Sequence, residues 1–170
     1  MTEQLWAPWR LQYIESAEKY PGCIFCDFPK EDADATRYIV HRSSHAFIIL
    51  NAFPYSNGHL MVVPYKHTAS LESLSDEELL DIMQLNRLGV ALLKRVFKPH
   101  GYNLGVNMGT VAGAGIADHI HWHIVPRWNG DTNFMPVLAD VRVIPESLEV
   151  CYHRIREALP LVLAEGAQSA

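Results

Sequence analysis

The sequence predicts an α+β domain in which one antiparallel β-sheet carries a long helix and a C-terminal helix. Five apolar or alternating segments of strand length occur, and a helical segment lies between the third and the fourth of them. This order of strand, strand, strand, helix, strand and strand is typical of that class. The predicted strands cover 38–41, 45–51, 59–64, 102–107 and 118–127.

Composition narrows the class of protein. The 170 residues are 49% hydrophobic and 19% charged, with a net charge of −5, so we expect one globular domain over 1–170. No run of Lys and Arg indicates a nucleic acid or an anionic membrane as partner. Neither a signal-peptide core nor a membrane-spanning run of about 18 apolar residues occurs. Three cysteines fit a reducing compartment, which favours a cytoplasmic location.

Residues 1–20 form an aromatic arm ahead of the predicted sheet. It carries Trp6, Trp9, Tyr13 and Tyr20, which we expect to pack against the domain or a second subunit, with base stacking as the alternative. The acidic and polar residues 31–36 then predict a loop before the first strand pair.

Two helices are predicted. Ser75 and Glu78 have the spacing of a capping box near the start of the helix at 71–97, and Pro99 and Gly101 end it. A C-terminal helix is predicted over about 145–164, with Pro160 limiting or kinking its end.

Three histidines alternate with apolar residues in the last predicted strand. Alternation places His119, His121 and His123 on one face and the intervening apolar side chains in a core. The outer two would lie about 13 Å apart, whereas zinc–nitrogen bonds are about 2.0–2.1 Å long, so one ion could not hold all three. Surface histidines are the ordinary alternative, but a rigid row of imidazoles suits phosphate chemistry better.

A glycine-rich loop at 107–117 precedes the histidines. Gly109, Gly113 and Gly115 let the backbone approach a ligand closely and direct N–H groups toward phosphate. Such glycines are as often plain turn residues, so the loop gains meaning only from the histidines that follow it.

Cys23 and Cys26 form a Cys-x-x-Cys pair. A pair with this spacing can be a redox couple, half of a zinc site or two unrelated buried thiols. The strand-then-helix setting of a thioredoxin motif is absent here, and zinc would need two further ligands.

Together these segments resemble the histidine-triad family of nucleotidyl hydrolases and transferases. The motif histidine–apolar–histidine–apolar–histidine–apolar–apolar is matched by residues 119–125, and 58–64, 101–103 and 107–115 also fit. Residues 5–10 and 126–134 resemble the bacterial diadenosine tetraphosphate phosphorylase branch. The resemblance implies a HIT-like fold whose sheet extends across a homodimer, an arrangement that would protect an open edge strand.

The resemblance also implies a mechanism. His121, flanked by His119 and His123 in the catalytic row, would attack the α-phosphorus of a diadenosine polyphosphate and carry AMP covalently. His123 and the loop N–H groups would stabilise the phosphate charge, and His59 would support the row. The implied substrate contacts are Asn51, Asn107, Gly113, Ala114, Gly115, Ile116 and His123. Apart from the resemblance, the net charge of −5 means that local groups must hold an anion, and Lys66 and Arg127 are candidates.

The same resemblance implies structural zinc bound by Cys23, Cys26, His67 and His119. The remaining candidates, whose ordinary interpretation is surface or turn histidines, are His41, His45 and His100.

One difference from the family pattern concerns the molecule that accepts AMP in the second step. Hydrolytic members of the family commonly place a glutamine and then a serine or threonine before the triad, whereas this chain has Ala114, Gly115, Ile116 and Ala117. A smaller pocket lined by N–H groups could admit inorganic phosphate, as in a phosphorylase. Two alternatives remain open: a hydrolase of dinucleoside polyphosphates or nucleoside phosphoramidates that uses water, and a nucleotide-binding signalling protein with incidental turnover.

Overall fold

A computed structural model describes residues 21–131 and 144–167. Its five strands form one antiparallel sheet in the order β1-β2-β3-β5-β4, which confirms the predicted α+β class. The strands are β1 (Ile39–Arg42), β2 (Ala46–Leu50), β3 (Leu60–Pro64), β4 (Gly101–Val106) and β5 (Trp122–Arg127). The predicted aromatic arm at 1–20 lies outside the described residues.

Four α-helices accompany the sheet within the described residues: α1 (Ile24–Asp27), α2 (Asp34–Arg37), α3 (Asp76–Phe97) and α4 (Leu148–Ala167). Among these residues no helix combines the length and the apolar character needed to cross a bilayer.

The long helix α3 begins where the sequence predicts its cap. The Ser75 hydroxyl accepts from the Glu78 N–H, and the Glu78 carboxylate accepts from the Ser75 N–H, so the capping box is formed. Residues 71–73 form a separate 3₁₀ turn, because the cap at Ser75 excludes them from the helix. The helix ends at Phe97, and the next residue, Lys98, caps it in a left-handed conformation with φ 48°.

Each face of the sheet packs against a different core. The helix-side core joins strand residues such as Ile48, Val62 and Ile124 to α3 and α4. The histidine-side core, on the other face, consists of Phe25, Ile39, Phe47, Ile49, Met61 and Val63. Ile120, Trp122 and Ile124 all belong to the helix-side core, as the alternating pattern predicts.

Gly89 brings α3 into close contact with the sheet. A Cβ atom at this position would lie 2.5 Å from Cδ1 of Ile124 on β5. Real side chains do not approach so closely, so glycine permits the distance between helix and strand. The contact lies directly behind His123, the neighbour of Ile124 on β5.

Three sequence predictions differ from the structure in detail. Residues 34–36, the second half of the loop predicted at 31–36, form the short helix α2 together with Arg37, and the next residue, Tyr38, has φ 58°. Helix α4 continues through Pro160 to Ala167, because buried Leu159 and Val162 on either side keep it packed and offset the missing N–H. The last strand begins only at Trp122, since the Ile120 N–H bonds to the Thr68 carbonyl oxygen instead of joining the sheet.

Candidate active site and metal site

The three histidines meet on the side of the sheet that carries the histidine-side core. His119 and His121 lie in the segment that enters β5, and His123 lies within β5. Their exposed fractions are only 0%, 2% and 9%. The Phe25 ring lies 5.4 Å from the His119 ring and 5.0 Å from the His121 ring, measured between centroids, so α1 closes this side of the row.

The hydrogen-bond partner of His121 determines which nitrogen is nucleophilic. His121 Nδ1 lies 2.8 Å from the His119 carbonyl oxygen. A carbonyl oxygen only accepts, so Nδ1 carries the hydrogen and the lone pair resides on Nε2. Burial lowers the pKa of His121, which keeps the imidazole neutral at pH 7.

His119 is oriented in the opposite sense. Its Nε2 lies 2.8 Å from the Pro64 carbonyl oxygen and therefore carries the hydrogen, so Nδ1 presents its lone pair. That Nδ1 atom lies 3.2 Å from Cys23 Sγ and 3.6 Å from Cys26 Sγ. Burial lowers the pKa of His119 to about 4, in opposition to the hydrogen bond with Pro64.

The four predicted metal ligands are brought together. Cys26 Sγ lies 3.2 Å from His67 Nδ1, and the ligand atoms of Cys23, Cys26, His67 and His119 all lie within 4.8 Å of one another. Tetrahedral zinc with bonds of about 2.3 Å to sulfur and 2.0–2.1 Å to nitrogen separates its ligand atoms by about 3.3–3.8 Å. The donor set and the distances fit such an ion.

A cation bound at this cluster would have to displace a proton from Cys26. Burial, followed by the hydrogen bond that the Cys26 thiol donates to Cys23, raises the pKa of Cys26 to about 11. Without a cation the thiol is therefore protonated at neutral pH, and a metal would bind by displacing that proton. The other candidate histidines, His41, His45 and His100, are not part of the cluster.

His59 lies beside His123 within the fold. It precedes β3, whose residue Met61 pairs with His123 across the sheet, so the two histidines are diagonal neighbours on one face. His59 Nε2 lies 2.9 Å from His123 Nδ1, and His59 is fully buried. Burial, followed by the charge of His121, lowers the pKa of His123 to about 4.

Two of the four N–H groups that were predicted to bind phosphate form hydrogen bonds within the glycine loop instead. The Gly113 N–H donates to the Thr110 carbonyl oxygen, and the Ala114 N–H donates to the Gly109 carbonyl oxygen. Gly109 and Gly113 have φ 81° and 91°, a region that glycine enters readily. Among the described residues, the Gly115 and Ile116 N–H groups donate to no other group, so these two are the available donors.

The predicted substrate-contacting amides have different settings. The Asn51 side chain is buried, and its Oδ1 accepts from the Phe53 N–H while Nδ2 faces His59 Nδ1 at 3.2 Å. Asn107 is half-buried and directly follows β4.

Neither of the two candidate cations contributes to the row of histidines. Arg127 donates to the Asp131 carboxylate and to Asn103 Oδ1 on the exposed side of the sheet edge. Lys66 donates to the Ser73 carbonyl oxygen and pairs with Glu78 at 3.5 Å. Both cations therefore have structural partners elsewhere.

Gly105 is a site feature that the sequence alone did not reveal. It pairs with His123 across β4 and β5, so the two residues share one face. A Cβ atom at Gly105 would meet no atom of the described residues within 4 Å, which leaves open space beside His123 in this part of the structure. The only signal in the sequence was a glycine inside a predicted strand, a common mark of close approach by another group.

Comparison with known proteins now identifies the family. A model of the HIT domain matches residues 33–130, more than half of the 170 residues. The chain belongs to the HIT, or histidine-triad, family. The resemblance stated from the histidine motif is thereby confirmed.

Two relatives of this HIT protein have names that refer to reactions of nucleotides. One from Mycobacterium tuberculosis, named AP-4-A phosphorylase, is 38% identical over 154 residues, which cover 86% of this chain and 78% of the relative. Another, the adenosine 5'-monophosphoramidase hnt1 of Schizosaccharomyces pombe, is 36% identical over 108 residues, which cover 64% of this chain and 76% of the relative.

A solved structure is also similar to the HIT protein. The Zn-bound histidine triad family protein of Mycobacterium smegmatis superposes with a TM-score of 0.68 and 26% identity, covering 85% of this chain and 97% of the other. The match supports the HIT-like fold over most of the chain.

Proposed function

We propose that this HIT protein cleaves diadenosine polyphosphates by transferring AMP to His121 Nε2 and then to inorganic phosphate. The observation that carries the proposal is the hydrogen bond from His121 Nδ1 to the His119 carbonyl oxygen, which leaves the Nε2 lone pair for attack. Attack forms an Nε2–phosphorus bond and breaks the bond from the α-phosphorus to the bridging oxygen. For diadenosine tetraphosphate, the leaving group is ATP.

The same geometry supplies donors for the developing charge. The N–H groups of Gly115 and Ile116 are the candidates for the equatorial oxygens of the α-phosphate. His123, whose ring centroid is 4.9 Å from that of His121, is the candidate donor to the departing oxygen. The open space at Gly105 gives the substrate room next to His123.

Two observations support phosphate as the second acceptor. Residues 114–117 are Ala114, Gly115, Ile116 and Ala117, so none of these four side chains can form a hydrogen bond that orients a water molecule. The M. tuberculosis relative at 38% identity is named a phosphorylase. Phosphate attack on the AMP–histidine intermediate would release ADP and restore neutral His121.

Product analysis tests the proposal directly. With diadenosine tetraphosphate and phosphate we expect ADP and ATP, whereas water as acceptor would give AMP and ATP. Acid-labile AMP bound to the protein should be trapped in a single turnover and be absent from His121→Asn. Formation of ADP by His121→Asn at the wild-type rate would refute the assignment of the nucleophile.

A phosphoramidase is the second candidate function, favoured by the S. pombe relative. Adenosine 5'-phosphoramidate would transfer AMP to the same nitrogen, with cleavage of its phosphorus–nitrogen bond and release of ammonia in place of ATP. A comparison of kcat/KM for the two substrates distinguishes the candidates. Turnover that stops at one product per protein would instead support a signalling protein with incidental activity.

We also propose that Cys23, Cys26, His67 and His119 hold a zinc ion. The separations of their ligand atoms support this, and the similar M. smegmatis structure is described as Zn-bound. The ion would cross-link α1, the segment after β3 and the segment before β5, as structural zinc does. Elemental analysis should give one zinc per chain.

A homodimer completes the proposal. Within residues 21–131 and 144–167, β4 is the last strand of the sheet on its side, and Leu104 in its middle is 50% exposed. An exposed apolar edge strand is a ready template for pairing with a second copy. Light scattering at micromolar concentration should give twice the monomer mass, and Leu104→Lys should lower it to the monomer mass.

A further inference from the structure

A chain of hydrogen bonds connects the turn after β2 to His123. The backbone N–H of Tyr55 donates to His59 Nδ1 over 3.1 Å, and Asn51 Nδ2 lies 3.2 Å from the same atom. On the other side of the ring, His59 Nε2 lies 2.9 Å from His123 Nδ1. His59 is thus buried between a turn and the row of histidines.

The direction of each hydrogen bond follows from what its partners can do. A backbone N–H only donates, so His59 Nδ1 must accept from Tyr55. Asn51 agrees with this direction, because its Oδ1 already accepts from the Phe53 N–H, which fixes the amide with Nδ2 toward the ring. A hydrogen on His59 Nδ1 would face two N–H donors, so the hydrogen belongs on Nε2, where it points at His123 Nδ1.

We propose that the Tyr55 N–H and the Asn51 amide fix the tautomer of His59, and that His59 thereby holds the hydrogen of His123 on Nε2. His59 is then a positioning residue, and Asn51 has a role besides the substrate contact that its family position implies. The proposal rests on the proposed function only in the use made of His123, as a donor to the departing phosphate oxygen.

The tautomer of His123 matters because a neutral imidazole carries only one hydrogen, on either Nδ1 or Nε2. With a pKa of about 4, caused mainly by burial, His123 is neutral at pH 7 and carries a single N–H. If that hydrogen were on Nδ1, Nε2 would present a lone pair to an anionic oxygen, and the donor would be lost. Loss of such a donor typically slows a reaction by roughly 10²–10⁴-fold.

Nuclear magnetic resonance of the wild type tests the tautomer without substrate. The ¹⁵N shifts of histidine rings separate a nitrogen that carries hydrogen from one with a lone pair, and His123→Gln assigns the signals. We expect hydrogen on Nε2 of both His59 and His123 at pH 7. Hydrogen on Nδ1 of His123 would overturn the proposal whether or not the variants described next are folded.

Two isosteric variants test the consequence. In His59→Gln, the amide nitrogen can donate to His123 while the amide oxygen accepts from the Tyr55 N–H. In His59→Glu, a carboxylate accepts from His123 Nδ1, so Nε2 keeps its hydrogen only while His123 is a cation. We expect kcat of the Glu variant to fall as pH rises, by up to roughly 10²–10⁴-fold, with KM little changed, and the Gln variant to lack this decline.

Failure of the proposal for His59 can be distinguished from failure of the proposed phosphorylase function. Equal loss of kcat in folded Gln and Glu variants at every pH would show a merely structural role for His59 and overturn the proposal. A wild type with hydrogen on His123 Nε2 that forms no ADP from phosphate would support the positioning of His123 and refute the proposed phosphorylase.

Discussion

Gly89 offers the sharpest test of how α3 is fitted to the sheet behind the active site. In Gly89→Ala the new Cβ would lie 2.5 Å from Ile124 Cδ1, while its next contact, with Leu60 Cδ1, would be an ordinary 3.7 Å. The whole conflict therefore rests on one methyl group. Ile124→Val removes that methyl and nothing else.

The magnitudes follow from these distances. Alanine gains about 0.8–1 kcal/mol over glycine within a helix, but overpacking costs about 1–3 kcal/mol, so Gly89→Ala should lose up to about 2 kcal/mol. Ile124→Val alone should cost about 0.5–1.5 kcal/mol. In the double variant the clash is absent and the helix gain remains, so the free energy of unfolding should return close to the wild-type value.

Urea unfolding of the four proteins measures this coupling. We expect the double variant to be more stable than the sum of the single changes predicts by about 1–3 kcal/mol. Because Ile124 adjoins His123 on β5, turnover should fall in Gly89→Ala and recover in the double variant. Additivity within about 0.5 kcal/mol would refute the claim that Gly89 sets the distance between helix and sheet.

Three further predictions concern the metal, the substrate and pH. Cys26→Ala should lose the metal and much of the stability, because structural zinc contributes about 10–16 kcal/mol in small peptides; metal analysis and thermal unfolding check this, and Cys151→Ala, outside the cluster, should keep the metal. Gly105→Val should lower kcat/KM about tenfold or more, equivalent to about 1.4 kcal/mol, without loss of stability, whereas Gly101→Val, equally open on the same strand, should leave steady-state kinetics unchanged; equal effects would contradict open substrate space at Gly105. Because the pKa of His123 is about 4 when folded and about 6.5 when unfolded, the unfolded chain binds the proton first. The contribution of His123 to the free energy of unfolding should thus be full above pH 6.5 and fall by roughly 3 kcal/mol toward pH 4. Urea unfolding across this pH range should show a shallower decline in His123→Gln than in the wild type.

The sequence predicted the helix cap and the apolar core positions because both depend on residues that are close together in the chain. The capping box of Ser75 and Glu78 depends on residues three apart, and the structure contains it. The apolar partners of the histidine row, such as Ile120 and Trp122, followed from alternation. Alternation also suggested a strand over the whole row, although a bond from Ile120 to Thr68 delays the strand until Trp122. That bond joins residues far apart in the chain, which no periodicity reports.

The finer site geometry escaped the sequence for the same reason. The neighbourhood of His59 and His123 depends on the register of β3 against β5, and the open space at Gly105 depends on the register of β4. Tyr38 adopts positive φ, which an aromatic residue seldom does, so no propensity announces that turn. The inward bonds of Gly113 and Ala114 are equally invisible in a list of glycines.

His119 shows how one residue can serve two sites without dividing its side chain between them. Its imidazole faces the cysteine pair, while its carbonyl oxygen orients His121. A designer could therefore exchange the side chain at this position, for example by His119→Cys, to change the proposed metal site while His121 keeps its hydrogen-bond acceptor. Conversely, a rotation of the peptide plane after His119 would move the carbonyl group that orients His121, even if the imidazole stayed beside the cysteines.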